Sequence, residues 1–206
     1  MIIGINATSG VLQYGYCNDQ ELFLKFISQS KKIETLPNLI SDLIDQSNHQ
    51  PTKIITITGP GSYTGIRVSL TVAKMISKVY KIELFGFSLF EAYMMTHSNM
   101  INQLTVLTSN SRKGSVNLQL FQSNQSEYQA ISTIRQLTIQ QLSKFIGKFE
   151  VPINWHHLNG PIKEQNILKK RPLNVEFPFQ QFIQLLNQHD NYSNSNESLI
   201  YSSTVF

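Results

Sequence analysis

Cysteine is nearly missing from this sequence: Cys17 is the single one in 206 residues. No internal disulfide can form, and a reducing compartment is the expected setting. Charge is scarce as well, at 15% of residues against roughly 25% in an average globular chain. Acids are the rarer sign, 13 against 17 basic residues, for a formal net charge of +4. A surplus that small and dispersed does not by itself mark a nucleic-acid binder. No apolar run approaches the roughly 18 residues of a membrane-spanning helix. The opening Met1-Ile2-Ile3-Gly4-Ile5-Asn6 carries neither a basic region nor a cleavage site, so an untargeted cytoplasmic protein with no membrane partner is expected. Amide and hydroxyl residues stand in for the missing charges, as in Gln122-Ser123-Asn124-Gln125 and Asn194-Ser195-Asn196. A regular supply of Ile, Leu, Val and Phe argues for a folded chain rather than a disordered one.

The length suits one medium domain or two small lobes. Ile2 to Thr8, Val11 to Cys17 and Leu22 to Ile27 read as a meander of strands, the first two joined by Ser9-Gly10. From Lys32 the apolar period changes, and Leu36, Leu39, Ile40, Leu43 and Ile44 recur at helical spacing, with Pro37 in the first turn. Lys53 to Thr58 reads as a buried strand, and a second helix runs from Ile66 to about Tyr80. A strand at Ile82 to Phe87 meets Ser88-Leu89-Phe90-Glu91, whose spacing predicts a capped third helix. Polar Thr96 to Gln103 suggests a boundary, giving lobes at 1–100 and 101–206. In the second, Leu104 to Thr108, Val116 to Phe121 and Ala130 to Ile134 read as strands. Helices follow from Thr138-Ile139-Gln140-Gln141 and over Phe179 to Gln188, and the polar stretch Asn187 to Ser198 reads as loose. The alternation predicts an α/β protein of two related lobes, the second small.

Between the fourth strand and second helix lies Gly59-Pro60-Gly61-Ser62-Tyr63-Thr64-Gly65. A glycine loop feeding a helix N-terminus can cradle an anion through its backbone N–H groups. Gly65 is followed by Ile66-Arg67 rather than Lys-Ser/Thr, so this is not a Walker A loop, and the dinucleotide fingerprint is absent too. A tight structural turn and a ligand contact both remain open on the residues alone.

The ordered string Thr58-Gly59-Pro60-Gly61-Ser62-Tyr63-Thr64-Gly65-Ile66-Arg67-Val68 resembles the signature of the bacterial TsaB family. Ile3-Gly4-Ile5-Asn6-Ala7-Thr8 is similar to that family's opening strand and turn, Leu36-Pro37 to its first helix start, and Ser88-Leu89-Phe90-Glu91-Ala92 to its Ser-Leu-Glu-Ala segment. The likeness spans roughly residues 1–95. It implies an actin/Hsp70/sugar-kinase-like two-lobed fold and a non-catalytic role beside TsaD, the subunit that transfers the threonylcarbamoyl group to tRNA adenosine next to the anticodon. It also implies a TsaE-like ATPase partner, indirect contact with tRNA, and a homodimer when alone.

The residues bear on that implication. Asn6, and Asn110 in Asn110-Ser111-Arg112-Lys113-Gly114, stand where the family carries Asp; an amide keeps the hydrogen bonding and loses the charge that balances a cation. Asn6, Gly59, Gly61, Ser62 and Gly65 are then a vestigial phosphate loop, with no resident cofactor and at most weak nucleotide binding at a complex interface. His49, His97, His156, His157 and His189 show no ligand spacing, and the stretch Lys31-Lys32-Ile33-Glu34-Thr35 lacks the histidine pair of TsaD-type proteins. Ser62 lacks a nucleophile-elbow context, Cys17 reads as a core or strand residue, and Trp155 as a core filler or lobe contact.

The second helix has apolar residues over roughly 220° of its circumference, about twice the stripe one core needs. It is therefore covered on two sides, by the lobe itself or by another chain. The TsaB resemblance assigns the second cover to a partner, with Leu36, Ile40 and Leu43 from the first helix and Arg67, Val68, Val72, Lys74, Met75 and Val79 from the second. The leading expectation is a scaffold and dimerisation subunit that is not itself an enzyme. A small nucleotide-dependent phosphotransferase of the same fold and a homodimeric structural protein are the alternatives. The end of the sequence, Leu199-Ile200-Tyr201, keeps the tyrosine of a family Tyr-Leu-Arg element but not the arginine.

Overall fold

The computed structural model describes residues 1–28, 33–97, 103–111, 114–124, 127–149, 153–160, 162, 168 and 172–188. Lys31-Lys32, Arg112-Lys113, His189, Asn194–Asn196 and Leu199–Tyr201 lie outside the described residues. The chain divides into two compact units. One holds Met1–Ala92 with Pro178 and the helix that follows it, and the other Tyr93–Phe177.

In the first unit, β1 (Ile2–Asn6), β2 (Val11–Cys17) and β3 (Leu22–Ser28) form the expected antiparallel meander. A 3-10 turn (Ile33–Thr35) leads into α1 (Leu36–Ser47), which accepts Pro37 where a first-turn N–H has no intrahelical partner. Then come β4 (Lys53–Ile57), α2 (Tyr63–Tyr80), β5 (Glu83–Phe87) and α3 (Leu89–Met95), whose last turn belongs to the second unit. β4 and β5 add in parallel, for the order β3-β2-β1-β4-β5. β1 is buried along its whole length, as a central strand covered on both faces must be. On one face Ile3, Ile5, Leu12, Tyr14 and Ile54 pack with Leu36, Ile40 and Leu43 of α1 and with Val72, Ala73 and Ile76 of α2.

The other face is covered by α5 (Phe179–Gln188). A Cβ on Gly4 would lie 2.3 Å from Ile183 Cδ1, so a glycine in β1 lets this helix seat directly on the sheet. Phe182 meets Phe87 of β5 edge to face, with ring centroids 5.2 Å apart. The return of α5 is why the division differs from lobes at 1–100 and 101–206. A helix distant in sequence supplies the first sheet's second cover.

The second unit repeats the plan. β6 (Leu104–Asn110) and β7 (Ser115–Asn124) pair antiparallel, β7 also pairs with β8 (Glu127–Ala130) and β9 (Arg135–Thr138), and α4 (Ile139–Ile146) precedes β10 (Asn154–Leu158) and β11 (Leu173–Val175). The order β11-β10-β6-β7-β8 matches that of the first sheet, with β10 parallel to both β6 and β11. Val106, Val116, Leu118, Ile139, Leu142, Ile146 and Trp155 form its core. The cap expected at Thr138 is a full capping box with Gln141.

Three local expectations are corrected. The strand read over Ala130 to Ile134 is instead two strands, because ten-residue β7 pairs with β8 along its second half and β9 along its first. Between them Ser132 takes over the bonding, its Oγ accepting from Leu120 N (3.0 Å) and its carbonyl from Gln119 Nε2 (3.1 Å). The helix expected from Ile66 begins at Tyr63, since Ser62 caps it. Finally, β10 and β11 were not expected as strands.

Candidate functional site

Thr58 leaves β4 tied to β5 by its N–H and hydroxyl, both donated to the Phe87 carbonyl (2.8 and 3.1 Å). Gly59 then turns at φ +113°, a region closed to most side chains, and its carbonyl accepts from Leu89 N at 2.5 Å. Gly61 passes so close to the β1–β2 turn that a Cβ would lie 2.2 Å from the Thr8 carbonyl oxygen. Ser62 donates its N–H to that same oxygen (2.7 Å), and its Oγ accepts from Gly65 N (3.2 Å) as the cap of α2.

Asn6 completes the arrangement from the other side. It is buried; its Oδ1 accepts from Thr8 N (3.1 Å) and Thr8 Oγ1 (2.8 Å), and its Nδ2 donates to Gln13 Oε1 (2.6 Å). Of the five residues read as a phosphate loop, Asn6, Gly61 and Ser62 thus meet Thr8, while Gly59 accepts from Leu89 and Gly65 donates to Ser62. An anion cradle works through N–H groups aimed at the ligand, and those of Ser62 and Gly65 are donated within the chain.

The candidate contact residues separate into two sets. Leu36, Ile40, Leu43 and Val72 lie in the core of the first unit. Val68 and Lys74 are half-buried, while Arg67, Met75 and Val79 are exposed. α2 is therefore sandwiched between sheet and α1 over most of its apolar arc, yet Tyr63 (73%), Met75 (43%) and Val79 (68%) keep large exposed surfaces. The Arg67 guanidinium lies 5.3 Å from the Tyr63 ring centroid, and its Nη1 donates to the Tyr63 hydroxyl (3.3 Å). No acid occurs within α2, which carries Arg67, Lys74 and Lys78, whereas α1 exposes Asp42 and Asp45.

A polar network in the second unit carries no signature in the sequence. Thr108 Oγ1 accepts from Trp155 Nε1 (2.9 Å) and lies 2.8 Å from His157 Nδ1, while His157 Nε2 has no partner among the described residues. Burial holds the His157 imidazole down at about 4. On the other side of β10, the Tyr93 hydroxyl lies 2.7 Å from His156 Nδ1, and the His97 ring stacks on Tyr93 at 4.0 Å. Burial, and secondarily the neighbouring His97, lowers the His156 pKa; burial raises that of Tyr93 to about 12. The polar residues of an otherwise apolar β6, read against Trp155-His156-His157, were the available clue. Trp155 itself fills this core. His49 is exposed, and Cys17 is buried at the end of β2, where burial foremost and then Asp19 raise its thiol pKa. Among the described residues, no three His, Cys, Asp or Glu side chains gather to hold a metal. No helix of the described residues is long and apolar enough to cross a membrane.

Residues 27–193 match the family model described as TsaD: tRNA N6-adenosine threonylcarbamoyltransferase. The chain belongs to the TsaD family. That membership ties it to the threonylcarbamoylation of tRNA adenosine and agrees with the TsaB resemblance of the opening residues. Among solved structures it is similar to an uncharacterized protein with similarity to peptidase YeaZ from Pseudomonas aeruginosa, with a TM-score of 0.67 at 12% identity over 91% of this chain and 90% of the other. YeaZ from Pseudomonas aeruginosa gives 0.66 at 14% identity over the same shares. A Bacteroides thetaiotaomicron protein with an actin-like ATPase fold gives 0.51 at 13% identity over 91% of this chain and 95% of that one. At such identities the likeness speaks to the fold, which is the actin-like two-sheet α/β architecture. None of the curated proteins matches the sequence.

Proposed function

We propose that the chain is a TsaB-like accessory subunit without an active site of its own. It binds a TsaD-like transferase through the exposed face of α2 and supports threonylcarbamoylation of tRNA adenosine next to the anticodon. The observation that carries this reading is a contrast within the first unit. Ser62 and Gly65 of the glycine loop give their N–H groups to the Thr8 carbonyl and the Ser62 hydroxyl, and Asn6 is bonded to Thr8 and Gln13, while α2 turns Tyr63, Met75 and Val79 outward beside uniformly positive charge. A phosphotransferase would need those loop groups for its nucleotide.

The interface is accordingly Tyr63, Arg67, Lys74, Met75 and Val79, with Val68 at its edge; Leu36, Ile40, Leu43 and Val72 support it from the core. Exposed apolar side chains rimmed by charge are the usual composition of a docking patch. In the absence of the transferase, the acids of α1 and the bases of α2 complement each other between two copies, which favours a homodimer through the same face. A TsaE-like ATPase joins the assembled complex, tRNA is met through the transferase, and the chain works in the cytoplasm with no cofactor of its own.

Depletion of the protein followed by nucleoside mass spectrometry of total tRNA tests the role. Threonylcarbamoyladenosine should fall, and Met75→Asp with Val79→Asp should fail to restore it while remaining soluble. Unchanged nucleoside levels, with no TsaD-like subunit copurifying, would overturn the reading.

A further inference from the structure

β3 forms one edge of the first unit's sheet. Its sequence is Leu22-Phe23-Leu24-Lys25-Phe26-Ile27-Ser28, five apolar residues interrupted by a single charge. Edge strands are normally guarded by several charges, a proline or a bulge, because their outward N–H and C=O groups offer a template for another strand. Here Lys25 is the only such guard within the strand. Phe26 is 58% exposed, and Val11, opposite Ser28 on β2, 40%.

Alternation sorts the side chains. Phe23 and Ile27 pack toward the core beneath α1 and α2, so Leu22, Leu24 and Phe26 share the opposite face. That row is self-complementary about Leu24. When two copies pair antiparallel across a two-fold axis at Leu24, each Leu22 stands opposite the partner's Phe26 and the two Leu24 side chains meet. On the other face each Phe23 stands opposite the partner's Lys25. Within one chain Lys25 Nζ already lies 5.2 Å from the Phe23 ring centroid, and this register repeats that cation–ring attraction across the seam. An axis at Lys25 would oppose two like charges. An axis at Phe23 would set Phe26 against Gln20 in the β2–β3 turn, leaving the most exposed ring of the strand uncovered.

We infer that the β3 edge is a self-association site, at which a second copy of this chain adds its own β3 antiparallel in the Leu24-centred register. This contact is separate from the α2 face and does not depend on it, so a chain that also pairs through α2 associates beyond a dimer, and only with the α2 face disabled does β3 give a dimer alone. An isologous strand pair of this kind sets facing Cα atoms about 4.5–5.5 Å apart, within disulfide reach.

Cysteine crosslinking in a Cys17→Ser background reads the register. Under mild oxidation Leu24→Cys should form a covalent dimer several-fold faster than Gln140→Cys, an exposed control on α4. Phe23→Cys and Lys25→Cys should each stay single-chain, but a mixture of the two should give the mixed dimer. Sedimentation of a Met75→Asp protein, with the α2 face disabled, should still show twice the chain mass, and adding Phe26→Lys should return it to one chain. A Leu24→Cys rate equal to the control would overturn the inference. So would single-chain mass for Met75→Asp with β3 intact, an outcome that leaves the α2 reading standing.

Discussion

Acid should weaken the second unit through one side chain. His157 is fully buried, and its imidazole is held at about 4 rather than the ordinary 6.5. The folded chain therefore binds fewer protons than the unfolded chain between those values, and stability falls as pH drops through that window. With 1.36 kcal/mol per pKa unit, the loss from pH 7 to pH 4.5 is about 2 kcal/mol from this group alone. The lowered His156 acts in the same direction. Replacing His157 by Met removes both the titration and an Nε2 that has no partner among the described residues. Thr108 Oγ1 keeps Trp155 Nε1 as donor and lies 3.3 Å from the His156 carbonyl. His157→Met should thus lie within about 1 kcal/mol of the parent at pH 7, and exceed it by about 2 kcal/mol at pH 4.5. Urea titrations followed by circular dichroism and by Trp155, the one tryptophan and a core residue of this unit, measure both values. An acid slope unchanged in His157→Met, or an NMR titration of His157 near 6.5, would refute the reasoning.

Other outcomes test the first unit. Gly61→Ala drives a Cβ to within 2.2 Å of the Thr8 carbonyl oxygen and should cost at least about 2 kcal/mol in denaturant unfolding; Gly10→Ala, with nothing within 4 Å, should cost far less. Ser62→Ala removes the α2 cap and should cost about 1 kcal/mol. Met75→Asp and Val79→Asp, both exposed, should shift stability by no more than about 0.5 kcal/mol while abolishing capture of a TsaD-like subunit in pull-downs. Val72→Asp should instead unfold the chain, because Val72 lies in the core.

Where periodicity and capping acted locally, the fold was legible. β2 spans Val11–Cys17 and α5 Phe179–Gln188, as read from pattern alone, and the boxes at Ser88 and Thr138 start helices. β10 escaped because Trp155-His156-His157 lacks the β-branched signature, and its polar groups make sense only beside Thr108 and Tyr93, each about 50 residues or more distant in sequence. The seat of α5 was hidden for a similar reason, since Gly4 and Ile183 carry no mark of each other. In the glycine loop the glycines were legible, but the groups they pack against and bond were not. A glycine that admits a phosphate and one that admits a neighbouring carbonyl leave the same letter in the sequence.

That last ambiguity connects the loop to the exposed helix. Ser62 is at once the residue clamped to Thr8 and the residue that caps α2, so the β1–β2 turn, held by Asn6, fixes where the helix begins. Gly59 anchors the other end of the loop to the start of α3. A shift at Gly61 therefore moves the first turn of α2, which carries Tyr63 and, one turn on, Arg67 stacked against it. Loop and helix start act as a single construction, in which residues shaped like a phosphate cradle set the first turn of α2. Asn6 suits that task better than an aspartate would: its Nδ2 can donate to Gln13 while Oδ1 holds both polar groups of Thr8. A carboxylate would lose the donor and add a buried charge. An amide at this turn is thus what its three hydrogen bonds, two accepted and one donated, require.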